Sequence, residues 1–427
     1  MAGAGGPGTA AGTTGTAGPN ATPGPGAGDP GETVVRWTAR ATTIPEIERE
    51  LARIWAASRV VTVEGVEERR VAARTSVMNL VVVATQPEIA ERAAATISRL
   101  TGRHPSRVLI ISSRDPDGPS WLDARIEAHC VLPRADAPET CAEMIHLFAG
   151  GATGRHLEAI VAPLVVHDLP VTLWWPGEPP FGSEQAADLF AIADRLIVDG
   201  SSWSGDGLAR LRQMADLLER PGLAITDFAL ARQSRWREAI ASIFDLPTIL
   251  PYLRYVRRIA VAYAARGELG RPGTANIIRP VYHVAWFASR LGMRVRRPLA
   301  PPAGGTSLPE AAGRGGADGR GFDATLGGPR GEVEVTLRPV PSRLPSGSTV
   351  RIELTAERRG SELRADVTAE AETVNIRVRL DGAHLLTRSF LAPRRTEVDL
   401  LAEAIETGAS DPVARDAIRF AALLAGT

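Results

Sequence analysis

The stretch Val77-Met78-Asn79-Leu80-Val81-Val82-Val83-Ala84 is apolar throughout except for Asn79. An uninterrupted short run of this kind reads as a strand buried on both faces, which is what a parallel sheet requires. Working outward, Pro87 to Leu100 has helical spacing and Val108 to Ile111 is a second short apolar run, so strand, helix and strand follow in order. Upstream, Ile44, Ile47, Leu51 and Ile54 mark a helix over Ile44 to Ser58. Downstream come a strand around Arg125 to Leu132, a strand or helix start at Met144 to Phe148, and a helix from Arg155 to His167. The strand Val171 to Trp175, the helix Ser183 to Asp194, the strand Leu196 to Val198 and the helix Leu208 to Leu218 continue the series. The alternation predicts an α/β fold with an N-terminal mixed, largely parallel sheet and helices on both faces.

From Asp227 to Leu291 the signal is mostly helical, broken by Pro247, Pro251, Pro272 and Pro280. After a Gly- and Pro-rich tract the period becomes two: Glu332 to Leu337, Val350 to Thr355, Leu363 to Thr368 and Val374 to Leu380 each alternate apolar with polar. This predicts a C-terminal α+β antiparallel meander with one wet face. Helices over Glu397 to Glu406 and Pro412 to Leu424 would cover its apolar face, the second with Asp411 as N-cap and Pro412 at its first position. The expected organisation is a disordered tail (1–31), an α/β domain (32–225), a helical arginine-rich segment (226–297), a Gly/Pro-rich linker (298–330) and the meander with its two helices (331–427).

The 427 residues carry 49 basic and 49 acidic side chains, so no whole-chain field draws the protein to nucleic acid or lipid. Every basic residue is arginine. Schiff-base catalysis, a pyridoxal phosphate anchor and a Walker A loop need a lysine amine, and this chain cannot supply one. Two cysteines, Cys130 and Cys141, are too few for a disulfide framework or a four-cysteine zinc site, and a reduced compartment fits best. The N-terminus lacks the basic start and apolar run of an export signal, and no apolar stretch is long enough to span a membrane. A cytoplasmic location is expected.

Several constellations could carry function. His104, Ser106 and Arg107, just before a strand, could converge on a phosphate, or simply form a turn with Pro105. Trp174 and Trp175 must point to opposite faces of their strand; both could be core, or one could anchor an interface at the strand's carboxyl end. Gly150-Gly151-Ala152-Thr153-Gly154 departs from Gly-x-Gly-x-x-Gly and reads better as a flexible connection than as a dinucleotide turn. His129-Cys130 and Cys141-x4-His146 match no usual zinc spacing; a buried strand cysteine and a helix cysteine explain them as well, with a redox pair as the other option. The window Arg232 to Arg297 holds thirteen arginines against three acids. Within it Arg235, Trp236 and Arg237 are adjacent, and at helical spacing Arg254, Arg257 and Arg258 lie opposite Tyr252, Tyr255, Val256 and Ile259. Arginine beside aromatic residues suits a protein interface or a phosphate site, while a solvated face paired with the chain's own acids is the plain alternative. No nucleic-acid recognition motif accompanies the charge.

In order along the chain, Arg74-Thr75-Ser76-Val77-Met78-Asn79-Leu80, His104-Pro105-Ser106-Arg107, Pro163-Leu164, Asp168-Leu169-Pro170 and Trp174-Trp175 resemble the glucose-6-phosphate dehydrogenase assembly protein family (OpcA). Asp194 to Asp199, Ser234 to Glu238 and Asp245-Leu246-Pro247 continue the resemblance, and Asp399-Leu400-Leu401 and Asp411-Pro412-Val413 extend it more loosely. The resemblance implies a non-enzymatic partner that assembles or allosterically activates glucose-6-phosphate dehydrogenase in the oxidative pentose phosphate pathway, with no catalytic site and no cofactor. The residues agree in lacking a nucleophile motif, a metal set and a complete nucleotide turn. Trp174, Trp175, Arg235, Trp236, Arg237, Arg254, Arg257 and Arg258 are the candidate partner interface by inference from the residues alone. The alternative is an α/β enzyme or sensor that itself binds a sugar phosphate or nucleotide.

Overall fold

In a computed structural model, the structure describes residues 33–56, 59–63, 66–70, 73–74, 76–115, 117–131, 140–265, 275–302, 321–370, 372–407 and 411–426. The expected tail and the centre of the expected linker lie outside these residues. The chain begins with β1 (Thr33–Ala41) and α1 (Ile44–Ala56), a hairpin of β2 (Arg59–Val63) and β3 (Val66–Arg70), and the short β4 (Ala73–Arg74). The decisive apolar run follows as β5 (Asn79–Val83), with α2 (Pro87–Ser98), β6 (Arg107–Arg114), β7 (Trp121–Val131) and β8 (Thr140–Gly150) behind it. Next come α3 (Gly151–Arg155), α4 (Leu157–Val161), β9 (Val171–Trp175), α5 (Glu184–Ile192), β10 (Arg195–Val198), α6 (Leu208–Asp216) and β11 (Ala224–Asp227).

Apart from the β2–β3 hairpin, which is a two-stranded sheet of its own, these strands form one sheet in the order β1-β7-β8-β6-β5-β9-β10-β11, with β4 paired to β8. The pairs from β8 to β11 are parallel, and β7 and β1 add an antiparallel edge. The predicted mixed, largely parallel sheet is therefore present. Its six parallel strands follow the 3-2-1-4-5-6 order of doubly wound dinucleotide-binding folds. Side chains alternate across β5, so Leu80 and Val82 face α2 while Val81 and Val83 face the layer of α4, α5 and α6. Asn79, the polar residue in the run, is fully buried because its side chain closes the loop before β9: Nδ2 donates to the carbonyls of Val166 (3.0 Å) and Leu169 (3.1 Å), and Oδ1 accepts from the Val166 N–H (2.8 Å).

Beyond this sheet lie α7 (Phe228–Ala231), α8 (Ser234–Ile243), β12 (Val256–Ala264), α9 (Ile278–Arg290) and β13 (Arg294–Ala300). Then come β14 (Phe322–Gly328), β15 (Gly331–Val340), β16 (Thr349–Arg358), β17 (Ser361–Glu370), β18 (Thr373–Leu380) and β19 (Ala383–Leu391). The last helices are α10 (Glu397–Glu406) and α11 (Pro412–Ala425). Of the predicted meander, β16, β17 and β18 pair antiparallel in succession and β19, absent from the sequence reading, extends them, whereas β15 is separated from β16 by β12. Ile352, Leu354, Leu363, Val367 and Ile376 point inward, and Arg351, Glu353, Arg364 and Arg377 lie on the wet face.

Two expectations change here. The stretch Val256–Ala264, read as helical, is strand β12, which sits inside the second sheet, parallel to β15 and antiparallel to β16. The tract read as linker contributes β14, whose Phe322, Ala324 and Leu326 point into the core. The closing helices also divide their work. Leu400, Leu401 and Ala404 of α10 pack with Leu80, Val108 and Trp174 on the first sheet, whereas α11 lies against α6, α9 and β13. The expected cap is present, Asp411 accepting from the Val413 N–H, and α10 carries a capping box of Thr396 with Asp399 that the sequence reading did not name. Among the described residues no helix is long and apolar enough to cross a membrane.

Candidate functional site

The conserved geometry of doubly wound sheets puts a nucleotide at the turn after the first parallel strand, so the residues there are informative. After β5 the chain reads Ala84-Thr85-Gln86-Pro87-Glu88. No glycine opens the backbone, Pro87 removes an N–H from the first turn of α2, and Glu88 puts a carboxylate where phosphate would need donors. The Gly150 to Gly154 connection has its own packing reason. A Cβ on Gly150 would stand 2.0 Å from Trp121 Nε1, and one on Gly151, at φ +57°, would lie 2.6 Å from the Gly118 carbonyl oxygen.

His104, Ser106 and Arg107 are each engaged by a different internal partner. His104 Nε2 is 3.2 Å from Glu406 Oε1, and the Ser106 hydroxyl donates to the His104 carbonyl at 2.9 Å. Arg107 Nε donates to Glu143 Oε2 at 2.5 Å and its Nη1 to the Leu164 carbonyl at 2.9 Å, deep in the sheet. Glu143 also accepts from the indole N–H of Trp55. Cys130 and Cys141 are both strand residues, face each other in the β7–β8 register and are joined as a disulfide. Of the options read from the sequence, the strand-and-helix one fails because Cys141 lies on β8, and the two sulfurs are paired. The neighbouring imidazoles turn to Glu127, 2.8 Å from His129 Nε2 and 3.9 Å from His146 Nε2.

Trp174 and Trp175 are 0% and 2% exposed, so neither indole is available to a partner in this conformation. The physical reason is that the sheet is covered on both faces. Trp174 packs near Phe228 (centroids 6.3 Å apart) and Trp175 near Phe190 (6.1 Å). Arg237 is held inward by its Nη1 bond to the Leu230 carbonyl at 2.6 Å. Arg254 and Arg258 are exposed, and Arg257 donates to the Arg330 carbonyl at 2.7 Å.

The remaining pair, Arg235 and Trp236, borders the cavity with the strongest chemistry. It lies between α8, α9 and the meander, holds about 240 Å³, and is lined by Arg232, Arg235, Arg279, Arg394 and Arg395 against one acid, Glu370. Arg232 is fixed by Asp199 (2.7 Å) and Arg395 by Glu403. Among the described residues Arg279 reaches hydroxyls alone, Ser348 Oγ and Ser201 Oγ, each at 3.2 Å, and its Nε has no partner. His283, against the Trp236 ring, and Gln233 are buried in the wall, and among the described residues His283 Nδ1, Gln233 Oε1 and Thr349 Oγ1 likewise find no partner. Sequence reading missed Arg279, His283, Gln233 and Arg394. The arginine window signalled the first three, but nothing in the sequence said that the meander closes over them.

Behind the wall, Asp227 accepts from Tyr282 Oη (2.7 Å), the Gly200 N–H (2.9 Å) and the Ala229 N–H (2.7 Å). Burial, then the neighbouring Asp199 charge, pushes its carboxyl up to about 6 from 3.8. Burial, then Arg237 and Arg279, pushes the His283 imidazole from 6.5 down to about 3. Their effects on stability oppose each other. Asp227's contribution is complete below 3.8 and is lost as pH rises through about 6. His283's is complete above 6.5 and is lost as pH falls toward about 3, because the unfolded chain takes up a proton that the folded imidazole refuses. Between roughly pH 4 and 6 the two slopes, each about 1.4 kcal/mol per pH unit, cancel. Asp227→Asn should therefore expose the His283 slope in denaturant unfolding; a variant whose profile runs parallel to the parent's across that window would contradict this.

Solved structures give low similarity over most of the chain. An oxidoreductase from Sinorhizobium meliloti is 12% identical, covering 82% of this chain and 96% of that one, with a TM-score of 0.42. A super-repressor mutant of Gal80p from Saccharomyces cerevisiae is 10% identical, covering 81% and 94%, with a TM-score of 0.43. No activity or ligand is carried over from either. A curated protein of Synechocystis sp., provisionally named OxPP cycle protein OpcA, is 25% identical over 195 residues, which are 45% of this chain and 38% of that protein. The chain thus matches well under half the length of that relative. Residues 97–216 match the glucose-6-phosphate dehydrogenase subunit N-terminal domain, and residues 223–418 match the corresponding C-terminal domain. The two matches are consecutive, in the expected order and span most of the fold, and on that ground the chain belongs to the OpcA family of glucose-6-phosphate dehydrogenase subunits.

Proposed function

We propose that the chain is a non-catalytic partner of glucose-6-phosphate dehydrogenase that assembles or allosterically activates that enzyme in the oxidative pentose phosphate pathway. Membership of the family carries this reading. The glycine-free turn after β5 supports it, because a sheet of dinucleotide-binding order has there exchanged phosphate-binding backbone for Pro87 and Glu88. A partner acts on its enzyme only by binding the active form more tightly than the inactive one, by about 1–3 kcal/mol for a typical coupling.

Docking through basic surface is favoured by a second arginine cluster. Arg254, Arg290, Arg294 and Arg296 line an open groove of about 540 Å³, and Arg258 stands exposed on the wet face of β12. Of the groove's arginines only Arg290 has a carboxylate nearby among the described residues, Asp416 at 3.7 Å. An acidic surface on the enzyme would complement it. The purified chain should co-elute with the dehydrogenase, and Arg254→Glu with Arg294→Glu, both exposed in the groove, should slow association about tenfold at low salt while leaving the unfolding midpoint unchanged. Unaltered association in the double variant would remove this face from the docking surface.

A further inference from the structure

The cavity between α8, α9 and the meander is a different place from the groove of Arg254, Arg290, Arg294 and Arg296. Of the five arginines that line the cavity among the described residues, two have no carboxylate partner there, Arg279 and the exposed Arg394, and they are close enough for their charges to oppose each other. A guanidinium held largely out of water against hydroxyls alone is costly, and a bound anion would offset that cost. The planar guanidinium fork matches phosphate oxygens, and the Thr349 hydroxyl adds an unused donor at the same wall. A second requirement comes from Gln233. Its Nε2 donates to the Arg279 carbonyl at 2.7 Å, which fixes the amide so that the buried, unpartnered Oε1 needs a donor. A fully ionised phosphate offers none; a sugar hydroxyl does. The volume of about 240 Å³ falls below the roughly 300–1,000 Å³ usual for drug-sized ligands, so it fits a small metabolite and excludes a dinucleotide. The indole of Trp236, in the wall, adds an apolar surface of the kind on which a sugar ring can rest.

We propose that this cavity binds a phosphorylated sugar of about hexose size, its phosphate held by Arg279 and Arg394 and a hydroxyl donated to Gln233 Oε1. The ligand would tie α8 and α9 to the loops of the meander that carry Ser348 and Arg394, giving the protein a metabolite-dependent state.

The test is calorimetric titration of the full-length chain, without any dehydrogenase, with glucose 6-phosphate, inorganic phosphate and glucose as probes. Saturable binding of glucose 6-phosphate, at least tenfold weaker binding of phosphate and none of glucose are expected. Arg394→Gln, at an exposed position, should weaken glucose 6-phosphate about tenfold without moving the unfolding midpoint, and Arg279→Gln should weaken it further. No heat from either anion at about 10 mM would overturn the site. Wild-type affinity in both variants would overturn its location, and equal affinity for phosphate and sugar phosphate would overturn the hydroxyl contact. Because the dehydrogenase is absent, failure here leaves the partner reading to be decided by co-elution.

Discussion

Glu143→Ala is expected to cost about 3–5 kcal/mol of folding stability. Glu143 is fully buried between β6 and β7, and Arg107, itself 8% exposed, has it as its counter-ion. Removing the carboxylate leaves the Arg107 charge in the sheet with, among the described residues, the Leu164 carbonyl as its one remaining partner. The penalty is large because water cannot reach the guanidinium to replace what was lost. Chemical denaturation at neutral pH measures it, and a loss below about 1 kcal/mol would show that the pair is not structural.

Trp174→Ala should cost a similar amount, about 3–5 kcal/mol, through the lost contacts and the cavity left behind. Trp174 lies where β5 and β10 flank β9 and where α10 closes the layer with Leu400 and Leu401, so the void would open between the sheet and the chain's far end. Trp174→Phe should be milder, since among the described residues the indole N–H makes no hydrogen bond. Melting curves of the two variants separate packing from docking. Full stability in Trp174→Ala combined with lost dehydrogenase binding would restore this residue to the interface.

These two sites show what sequence reading could and could not supply. The parallel core was legible because β5, β6 and β9 are buried on both faces, and such strands announce themselves as unbroken apolar runs. β12 was not legible for a local reason. The register shifts between Val256 and Arg258, so the alternation of Ile259, Val261 and Tyr263 is out of step with what precedes it, and the aromatic spacing imitates a helix. β14 was masked by its glycine-rich surroundings. Adjacent tryptophans, or a His-Ser-Arg turn, have the same sequence whether covered or open; only the placement of α10 over Trp174, of α5 over Trp175 and of Glu143 beside Arg107 decided between them. The cavity is less legible still. Arg279 meets Ser348 across 69 positions of chain, and no spacing rule anticipates that meeting.

The central claim is that this protein works through another catalyst, and kinetics on the mixture test it most directly. Adding the purified chain to purified glucose-6-phosphate dehydrogenase should raise turnover or lower the apparent substrate constant, saturating with the chain's concentration, while the chain alone converts nothing. Unchanged kinetics with no co-elution, or turnover by the lone chain that a single substitution abolishes without unfolding it, would contradict the account.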